Sequence, residues 1–268
     1  MVRRARLDAE LVRRGLARSR EQAADVIAAG RVRVRGQVAT KAATAVEPGD
    51  PLLIAGEPGE DWASRGAHKL LGALDAFEAI GGVAIAGRRC LDAGASTGGF
   101  TDVLLRRGAR EVVAVDVGYG QLIWRLQNDD RVTVVDRTNI RALDAAAIGG
   151  PVELVVADLS FISLTLVIPA LRASAHDDAD FLLMVKPQFE VGRERLGAGG
   201  VVRDPELRKT AVREVAQSAY GAGLGVVGVT ASPLPGPAGN VEYFLWLRAG
   251  AATLDDAALD AAVEAGPQ

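Results

Sequence analysis

The stretch Asp92-Ala-Gly-Ala-Ser-Thr-Gly-Gly-Phe100 decides the fold of the larger part of this chain. It follows an apolar, strand-like run at residues 89–92 and precedes an amphipathic, helix-like run at residues 101–107. Glycines in such a turn let the backbone pass close to a ligand without a clash from a Cβ atom. A strand, a glycine-rich turn and a helix in this order predict a nucleotide-type ligand at the carboxyl end of the strand.

Six further apolar runs have the length of strands. They span residues 111–117, 132–135, 152–157, 181–185, 226–229 and 241–247. Helical segments separate the first five strands of the series, which predicts crossover connections and a parallel sheet. The last two strands are joined by residues 230–240, which are too rich in Pro and Gly for a helix, so we expect these two to pair antiparallel. The predicted fold class is α/β, Rossmann-like, with a mainly parallel seven-stranded sheet.

Acidic residues end the strands that flank the glycine-rich turn. Asp116 ends the strand after it, where an acid commonly binds ribose hydroxyls, and Asp136 ends the next strand and could reach an adenine amino group. The turn lacks the G-x-G-x-x-G spacing of dinucleotide sites. An acid at its first position, Asp92, suits a ligand with a sulfonium and a free amino group, so S-adenosylmethionine fits better than NAD. A simple tight turn is the alternative interpretation. The predicted cofactor-binding residues are Asp92, Gly94, Ala95, Ser96, Thr97, Gly98, Gly99, Phe100, Asp116, Asp136 and Asp158.

Four charged residues lie at places that a parallel sheet would bring to one edge. Asp158 and Lys186 follow the fourth and fifth strands, Glu242 opens the last strand, and Lys69 lies on a helix that we expect to begin near Ser64. Strand ends of this kind line the ligand crevice of open α/β sheets. Each residue alone is more simply read as a member of a surface ion pair, but four at matching positions favour a catalytic set.

Such a set could deprotonate a hydroxyl group. A ribose 2′-hydroxyl is a poor nucleophile near neutral pH, and a lysine whose pKa is lowered by burial and a nearby cation can accept its proton. Lys186 is the candidate base. Asp158 and Glu242 would orient the lysines and the hydroxyl, and Lys69 would hold the substrate.

The amino-terminal residues form a separate basic module. Residues 1–41 contain eleven Lys or Arg and four Asp or Glu, whereas the whole chain of 268 residues has a net charge of -3. Apolar periodicity predicts a helix within residues 7–17, with Gly15 as the candidate stop, and a second helix at 19–29, and strict alternation predicts a strand at 31–35. Since residues 1–61 contain no aromatic residue, the module should read folded RNA by shape and phosphate position. The candidate RNA-binding residues are Arg3, Arg4, Arg6, Arg14, Arg18, Arg20, Arg31 and Arg33, with Phe161 as a candidate for stacking on a flipped base or, equally, as a buried core residue.

Composition argues against a disulfide-bonded, a zinc-binding or a membrane-spanning protein. One cysteine, Cys90, excludes an internal disulfide, and with two histidines it cannot form a His/Cys zinc site, so we expect no metal. No apolar run reaches the length of a membrane span, and no apolar stretch follows the basic start. We therefore expect a cytoplasmic protein. We also expect the protein to be a monomer.

Several stretches together resemble the TlyA family of bacterial ribosomal-RNA 2′-O-methyltransferases, whose members are sometimes labelled haemolysins. Besides Asp92 to Phe100, these stretches are Ser64-Arg-Gly-Ala-His-Lys-Leu70, Ala157-Asp-Leu-Ser-Phe-Ile-Ser163, Val185-Lys-Pro-Gln-Phe-Glu-Val-Gly192 and Gly239-Asn-Val-Glu-Tyr-Phe244. The resemblance covers essentially the whole chain and is closest to the longer, actinobacterial type.

The resemblance implies a domain organisation and an activity. It implies a small α+β RNA-binding domain of the S4 type at residues 1–59, a linker at 60–63 and an FtsJ-like class I methyltransferase domain at 64–268. It implies a Lys-Asp-Lys-Glu tetrad that maps to Lys69, Asp158, Lys186 and Glu242. It also implies S-adenosylmethionine-dependent 2′-O-methylation of cytidine in 16S and 23S rRNA, with the 30S and 50S subunits as partners.

Two other functions compete with this interpretation. One is a non-catalytic RNA-binding or ribosome-assembly factor that keeps the fold, against which the intact Lys/Asp/Lys/Glu series argues. The other is a membrane-lytic haemolysin, against which the missing membrane span and signal argue.

Overall fold

A computed structural model describes residues 5–17, 19–28, 30–54 and 62–267. The chain forms two compact units, Met1–Asp61 and Trp62–Gln268, which we name the N-terminal and C-terminal units. Three of the predicted RNA-binding arginines, Arg3, Arg4 and Arg18, lie outside the described residues, as do residues 60 and 61 of the predicted linker.

The N-terminal unit is a small α+β fold with two helices packed on short strands. Its elements are β1 (Ala5–Arg6), α1 (Leu7–Arg13), α2 (Arg20–Ala28), β2 (Val32–Val34), β3 (Gln37–Ala39), β4 (Ala45–Val46) and β5 (Leu52–Ile54). Strands β1 and β4 pair antiparallel, and β2 pairs antiparallel with both β3 and β5. The two helices and the basic strand predicted from the sequence are therefore present.

The helices of this unit bury the apolar residues whose spacing predicted them. Leu7 and Leu11 of α1 and Ile27 of α2 are fully buried in a shared core. Helix α1 ends at Arg13, just before Gly15, the candidate stop, which adopts a φ of +70°, a left-handed conformation that ends a helix.

The start of α2 carries a side-chain cap, which supports a prediction about stability. The backbone N–H of Gln22 donates to Ser19 Oγ at 3.1 Å, which satisfies one of the free donors of the first turn. We expect Ser19→Ala to lower the free energy of opening of α2 by about 1 kcal/mol. Hydrogen exchange of the α2 amides in the full chain measures this. Thr40→Ala, an exposed change outside the helices, is the control, and equal exchange in both variants would contradict the prediction.

The C-terminal unit contains one seven-stranded sheet with helices on its two faces. Its strands are β6 (Arg89–Ala93), β7 (Glu111–Val115), β8 (Val132–Val135), β9 (Val152–Ala157), β10 (Ala175–Val185), β11 (Leu224–Ala231) and β12 (Tyr243–Ala249). Its helices are α3 (Gly66–Glu78), α4 (Gly99–Arg106), α5 (Trp124–Gln127), α6 (Ile168–Ala173), α7 (Pro187–Glu190), α8 (Pro205–Gly221) and α9 (Asp256–Ala265).

The strand order confirms the predicted α/β class. The order is β11-β12-β10-β9-β6-β7-β8. The five strands β8, β7, β6, β9 and β10 pair in parallel, and β12 pairs antiparallel with both β10 and β11. Because β12 runs against its neighbour β10, its beginning lies at the edge where the parallel strands end.

Several predicted boundaries shift by a few residues. Strand β7 ends at Val115, so Asp116 follows it, and β12 begins at Tyr243, so Glu242 precedes it. The connection from β8 to β9 holds only a 3-10 turn, Ile140–Ala142, where the sequence suggested a helix. Strand β10 begins at Ala175, six residues before its apolar part, because its polar start still pairs with β9 across an irregularity.

Both faces of the sheet are covered, which explains the continuous apolar runs of its strands. In β6, Cys90 packs into the core on one face and Leu91 into the core on the other. Strands buried on both sides lose the alternation of polar and apolar residues and keep only their length as a signal. The side chain of Cys90 is fully buried.

The acidic carboxyl-terminal tail forms a helix that packs on the core of the C-terminal unit. Helix α9 buries Leu259 completely and Val263 almost completely in the core beside β11. Burial of these side chains compensates for the low intrinsic stability of a short acidic helix. No helix in the described parts of the chain has the length and apolar character needed to cross a membrane.

Candidate active site

A cavity of about 680 Å³ opens at the carboxyl ends of the parallel strands. The strand-end loops, the start of α3 and the loop between β11 and β12 form its walls. The predicted site residues that line it are Lys69, Asp92, Gly94, Ala95, Ser96, Thr97, Gly99, Phe100, Asp158 and Lys186. Residues separated by more than a hundred positions in the sequence thus meet in one crevice.

The first charged pair joins α3 to the start of β12. Lys69 Nζ donates to Glu242 Oε2 at 2.5 Å, and the Glu242 side chain is only 1% exposed. The second oxygen, Oε1, lies 3.5 Å from Gln188 Nε2. Because a buried carboxylate needs a partner, Lys69 and Glu242 hold each other at the cavity wall.

The second charged pair joins the ends of the neighbouring strands β9 and β10. Lys186 Nζ lies 2.6 Å from Asp158 Oδ1 and donates to Ser160 Oγ at 3.0 Å. Lys186 is 7% exposed and lies directly after β10, whose partner β9 ends just before Asp158. Lys69, Asp158 and Lys186 thus line the same crevice, whereas Glu242 is buried against Lys69 and does not itself line the cavity.

The glycine-rich turn between β6 and α4 forms a further part of the cavity wall. Gly94 has a φ of +86°, and a Cβ atom there would lie 2.6 Å from the carbonyl oxygen of Asp158. Gly98, with a φ of +99°, immediately precedes α4, and a Cβ atom there would meet the side chains of Leu126 and Leu122. The turn therefore needs glycine at Gly98 for its backbone conformation, and at Gly94 for both conformation and space.

Asp92 is a buried carboxyl group with one oxygen free to bind a ligand. Thr101 Oγ1 donates to Asp92 Oδ2 at 2.6 Å, whereas Oδ1 has no hydrogen-bond partner among the described residues. Burial raises the pKa of Asp92 to about 7, against the lowering effect of the Thr101 hydrogen bonds, and the nearby carboxylates of Asp158 and Asp116 add to the rise. Since Asp92 also lines the cavity, this oxygen can accept a hydrogen bond from a cationic ligand.

Comparison with known proteins matches this architecture over nearly the whole chain. The family model of the FtsJ-like methyltransferase matches residues 62–249, and that of the S4 domain matches residues 5–52. The 16S/23S rRNA (cytidine-2'-O)-methyltransferase TlyA of Mycobacterium tuberculosis is 62% identical over 97% of this chain and 94% of that protein. The chain belongs to the TlyA family of FtsJ-like methyltransferases.

Two further relatives carry haemolysin names. Hemolysin A of Brachyspira hyodysenteriae is 35% identical over 89% of this chain and 97% of that protein. A solved structure of a haemolysin-named protein from Streptococcus thermophilus is 35% identical, has a TM-score of 0.75 and covers 98% of this chain and 96% of that chain. The haemolysin names and the methyltransferase name thus belong to proteins of one fold.

A second cavity of about 430 Å³ adjoins the first in this TlyA-family fold. Asp116 lines it, and its two oxygens accept the backbone N–H groups of Ser96 at 2.8 Å and Gly118 at 2.7 Å. Asp136 lines neither cavity, and its Oδ2 accepts the N–H of Gly120 at 2.8 Å. Asp116 therefore supports the glycine-rich turn directly, whereas Asp136 supports the loop after β7.

Phe161 is a surface residue. Its side chain is 91% exposed, its backbone has a φ of +64°, and its ring lies 5.2 Å from that of Phe189. The alternative interpretation of Phe161 as a buried core residue is wrong. An exposed aromatic residue with a left-handed backbone is held by its surroundings and is a candidate for contact with a partner.

Sequence reasoning missed three features of the crevice. It did not identify Ser160, whose hydroxyl accepts from Lys186, or Glu190, which accepts from Ser163 Oγ at 2.5 Å and from the N–H of Leu164 at 2.9 Å. It also treated the loop after β11 only as a connection, although residues 234–237 and Gly239 line the cavity. No periodicity marks such residues, and only the proximity of Ser160 to Asp158 in the sequence was a signal.

Four of the candidate RNA-binding arginines in the described part of the S4 domain fall into two groups. Arg6 and Arg20 both bind Asp8, at 3.0 and 2.9 Å, and their side chains stay 53% and 60% exposed. Arg14 is 22% exposed and donates to Glu10 and to the backbone carbonyls of Asp50 and Pro48. Arg33 donates to the carbonyl of Gly36 at 3.2 Å on an exposed strand. Arg6, Arg20 and Arg33 thus present charge to solvent, whereas Arg14 mainly holds the domain together.

Proposed function

We propose that this chain is an S-adenosylmethionine-dependent enzyme that methylates the 2′-hydroxyl of cytidine in 16S and 23S rRNA. The observation that carries the proposal is that the lysines of two lysine–carboxylate pairs line one cavity beside a glycine-rich turn. The M. tuberculosis relative, which is 62% identical, carries the corresponding name. Both 30S and 50S subunits are therefore the proposed partners.

The cavity suits the proposed cofactor. The unpartnered Oδ1 of Asp92 can accept from the amino group of S-adenosylmethionine, and Gly94 keeps the turn free of a side chain. The adjoining cavity with Asp116 suits the nucleoside part. When bound, the cofactor supplies a methyl group on a positively charged sulfur, which makes the group ready for transfer. The protein then has to position the hydroxyl and remove its proton.

We assign the proton transfer to Lys186. In its amine form, Lys186 accepts the proton of the ribose hydroxyl, while Asp158 holds Nζ in place. Glu242 fixes Lys69, whose ammonium group faces the same cavity and attracts the oxygen as it becomes negative. Each carboxylate thus orients a lysine and does not itself need to change its protonation state.

The S4 domain is the proposed reader of folded RNA. Its exposed arginines can bind phosphates, and no aromatic residue in residues 1–61 is present for stacking. Because the proposed substrate is ribosomal, a cytoplasmic location follows. We retain the proposed boundaries of 1–59, 60–63 and 64–268, and a monomer as the active form.

Phe161 is proposed to stack on the target base. We expect Phe161→Ala to lower kcat/KM for RNA about tenfold, since stacking on an aromatic side chain contributes about 1–3 kcal/mol. Stability should change by no more than about 0.5 kcal/mol because the side chain is exposed. The matched control is Tyr220→Ala, an exposed aromatic residue of α8. An equal effect of the two variants on RNA methylation would contradict this role.

The proposed function is tested with separated ribosomal subunits. Purified protein is incubated with S-adenosylmethionine labelled in the methyl group and with 30S or 50S subunits. Label in RNA at a linkage that resists alkali is the expected result. No label on either subunit from folded protein would overturn the proposal and favour the non-catalytic assembly factor. Leakage of liposomes caused by the same protein would favour the membrane-lytic function.

A further inference from the structure

A hydroxyl group lies beside the proposed base and completes its surroundings. Ser160 Oγ accepts from Lys186 Nζ at 3.0 Å, and Asp158 Oδ1 lies 2.6 Å from the same nitrogen. All three residues line the larger cavity, and Ser160 also lines the adjoining one. Two acceptors from one loop therefore contact the nitrogen that faces the substrate.

We propose that Ser160 is a positioning residue that aims the lone pair of Lys186 at the ribose hydroxyl. The inference rests on the 2′-O-methyltransferase function proposed above. An amine nitrogen is tetrahedral and carries one carbon, two hydrogens and one lone pair. Ser160 accepts one N–H, and the Asp158 carboxylate, 2.6 Å from Nζ, attracts the other hydrogen, so the lone pair is directed toward the open cavity. Without the Ser160 hydroxyl, rotation about the Cε–Nζ bond lets a hydrogen and the lone pair exchange places.

The proposed methyl transfer, with Lys186 as the proton acceptor, balances in atoms and electrons. The O–H bond of the ribose breaks, its proton joins the lone pair of Lys186, and its electron pair remains on the oxygen. That oxygen forms the new bond to the methyl carbon while the bond from this carbon to sulfur breaks with its electron pair left on sulfur. The ammonium group of Lys186 then keeps its contacts with Asp158 and Ser160.

A carboxylate near Lys186 in the sequence, Glu190, holds the segment that follows Ser160. Glu190, four residues after Lys186, accepts from Ser163 Oγ and from the N–H of Leu164. Between these contacts and Ser160 lies Phe161, whose φ of +64° is a strained conformation for a residue with a side chain. Such strain persists only where neighbouring contacts enforce it. Glu190 therefore keeps the Asp158–Ser160 loop in the geometry that the amine requires.

The test compares Ser160→Ala with Ser160→Thr, which keeps the hydroxyl group. The readouts are the single-turnover rate with saturating cofactor and ribosomal subunits, the KM for RNA and the dissociation constant of S-adenosylmethionine. We expect Ser160→Ala to lower the rate about tenfold and to leave the KM and the dissociation constant within about twofold. Ser160→Thr should recover the rate to within about threefold of wild type. Ser218→Ala on α8, away from the cavity, is the matched control and should behave as wild type.

Three results would overturn the inference. The first is a Ser160→Ala rate within twofold of wild type in an enzyme that is otherwise active. The second is a rate loss that Ser160→Thr does not recover. The third is a loss that appears only as weaker cofactor binding, since that would place Ser160 in the cofactor site. A folded wild-type protein that methylates no RNA would instead overturn the proposed function, and this inference with it.

Discussion

Lys186→Ala should transfer methyl groups to ribosomal RNA about a thousandfold more slowly than wild type. A positioned general base contributes about 10²- to 10⁴-fold to a reaction rate, and Lys186 is the buried amine that contacts both Asp158 and Ser160 in the cavity. The loss should appear in the single-turnover rate at saturating cofactor and RNA. The dissociation constant of S-adenosylmethionine should change little, because the proposed cofactor contacts lie on the glycine-rich turn.

The matched control for this prediction is Lys209→Ala. Lys209 lies on α8, binds Glu206 and Asp260, and does not line the cavity. Its loss should leave the methylation rate unchanged, although it removes two surface ion pairs. A Lys186→Ala rate within tenfold of wild type would exclude Lys186 as the base.

Asp92→Asn should alter cofactor affinity and the pH dependence of stability together. Loss of a hydrogen bond to a charged group costs about 1.5–3 kcal/mol, so S-adenosylmethionine should bind about 10- to 100-fold more weakly at pH 8. Calorimetric titration of the cofactor measures this directly. Asp130→Asn, a change of an exposed acid, is the control. Equal affinity of wild type and Asp92→Asn would remove Asp92 from the cofactor site.

The stability effect of Asp92 has a defined sign. Burial raises its pKa in the folded protein to about 7, above the usual value of 3.8. The folded state therefore holds this proton more tightly than the unfolded state, and its advantage is full below about pH 4 and lost as pH rises through 7. A difference of about three pKa units corresponds to about 4 kcal/mol.

The comparison of the two proteins across pH isolates this contribution. The free energy of unfolding of wild type without cofactor should fall between pH 4 and pH 8 by about 4 kcal/mol more than that of Asp92→Asn. Denaturant unfolding of both proteins at several pH values measures it. Parallel curves for the two proteins would mean that Asp92 is already ionised near its usual pKa. The ionised form is the one that suits a cationic ligand, so cofactor binding should strengthen as pH rises through 7.

The glycine-rich turn and the apolar runs around and after it were enough to predict the sheet of the C-terminal unit. Strands buried on both faces leave continuous apolar runs, as in residues 152–157, and such runs survive in the sequence whatever packs against them. The turn was readable because Gly94 and Gly98 adopt backbone conformations that other residues avoid. The resemblance to the TlyA family drew on these same stretches, and the comparisons confirm it.

The ends of helices and strands, and the surroundings of single side chains, were harder to predict from the sequence. The polar start of β10 pairs with β9 although it carries no apolar signal, and the expected helix between β8 and β9 is only a short 3-10 turn. Phe161 was as consistent with a core residue as with an exposed one, because one aromatic residue in a loop has no periodicity to place it. Its 91% exposure follows from the turn after β9.

The sequence by itself determined which residues form strands, where the glycine-rich turn lies and which charged residues follow the strand ends, because these properties depend on neighbours along the chain. Only the tertiary structure decided which side chains contact each other. Lys69 donates to Glu242, which lies 173 positions later in the sequence, and Lys186 donates to Ser160. Arg14 donates to a backbone carbonyl of its own domain. The physical reason is that a side-chain contact depends on strand order, register and loop path, which arise only when the whole sheet has packed.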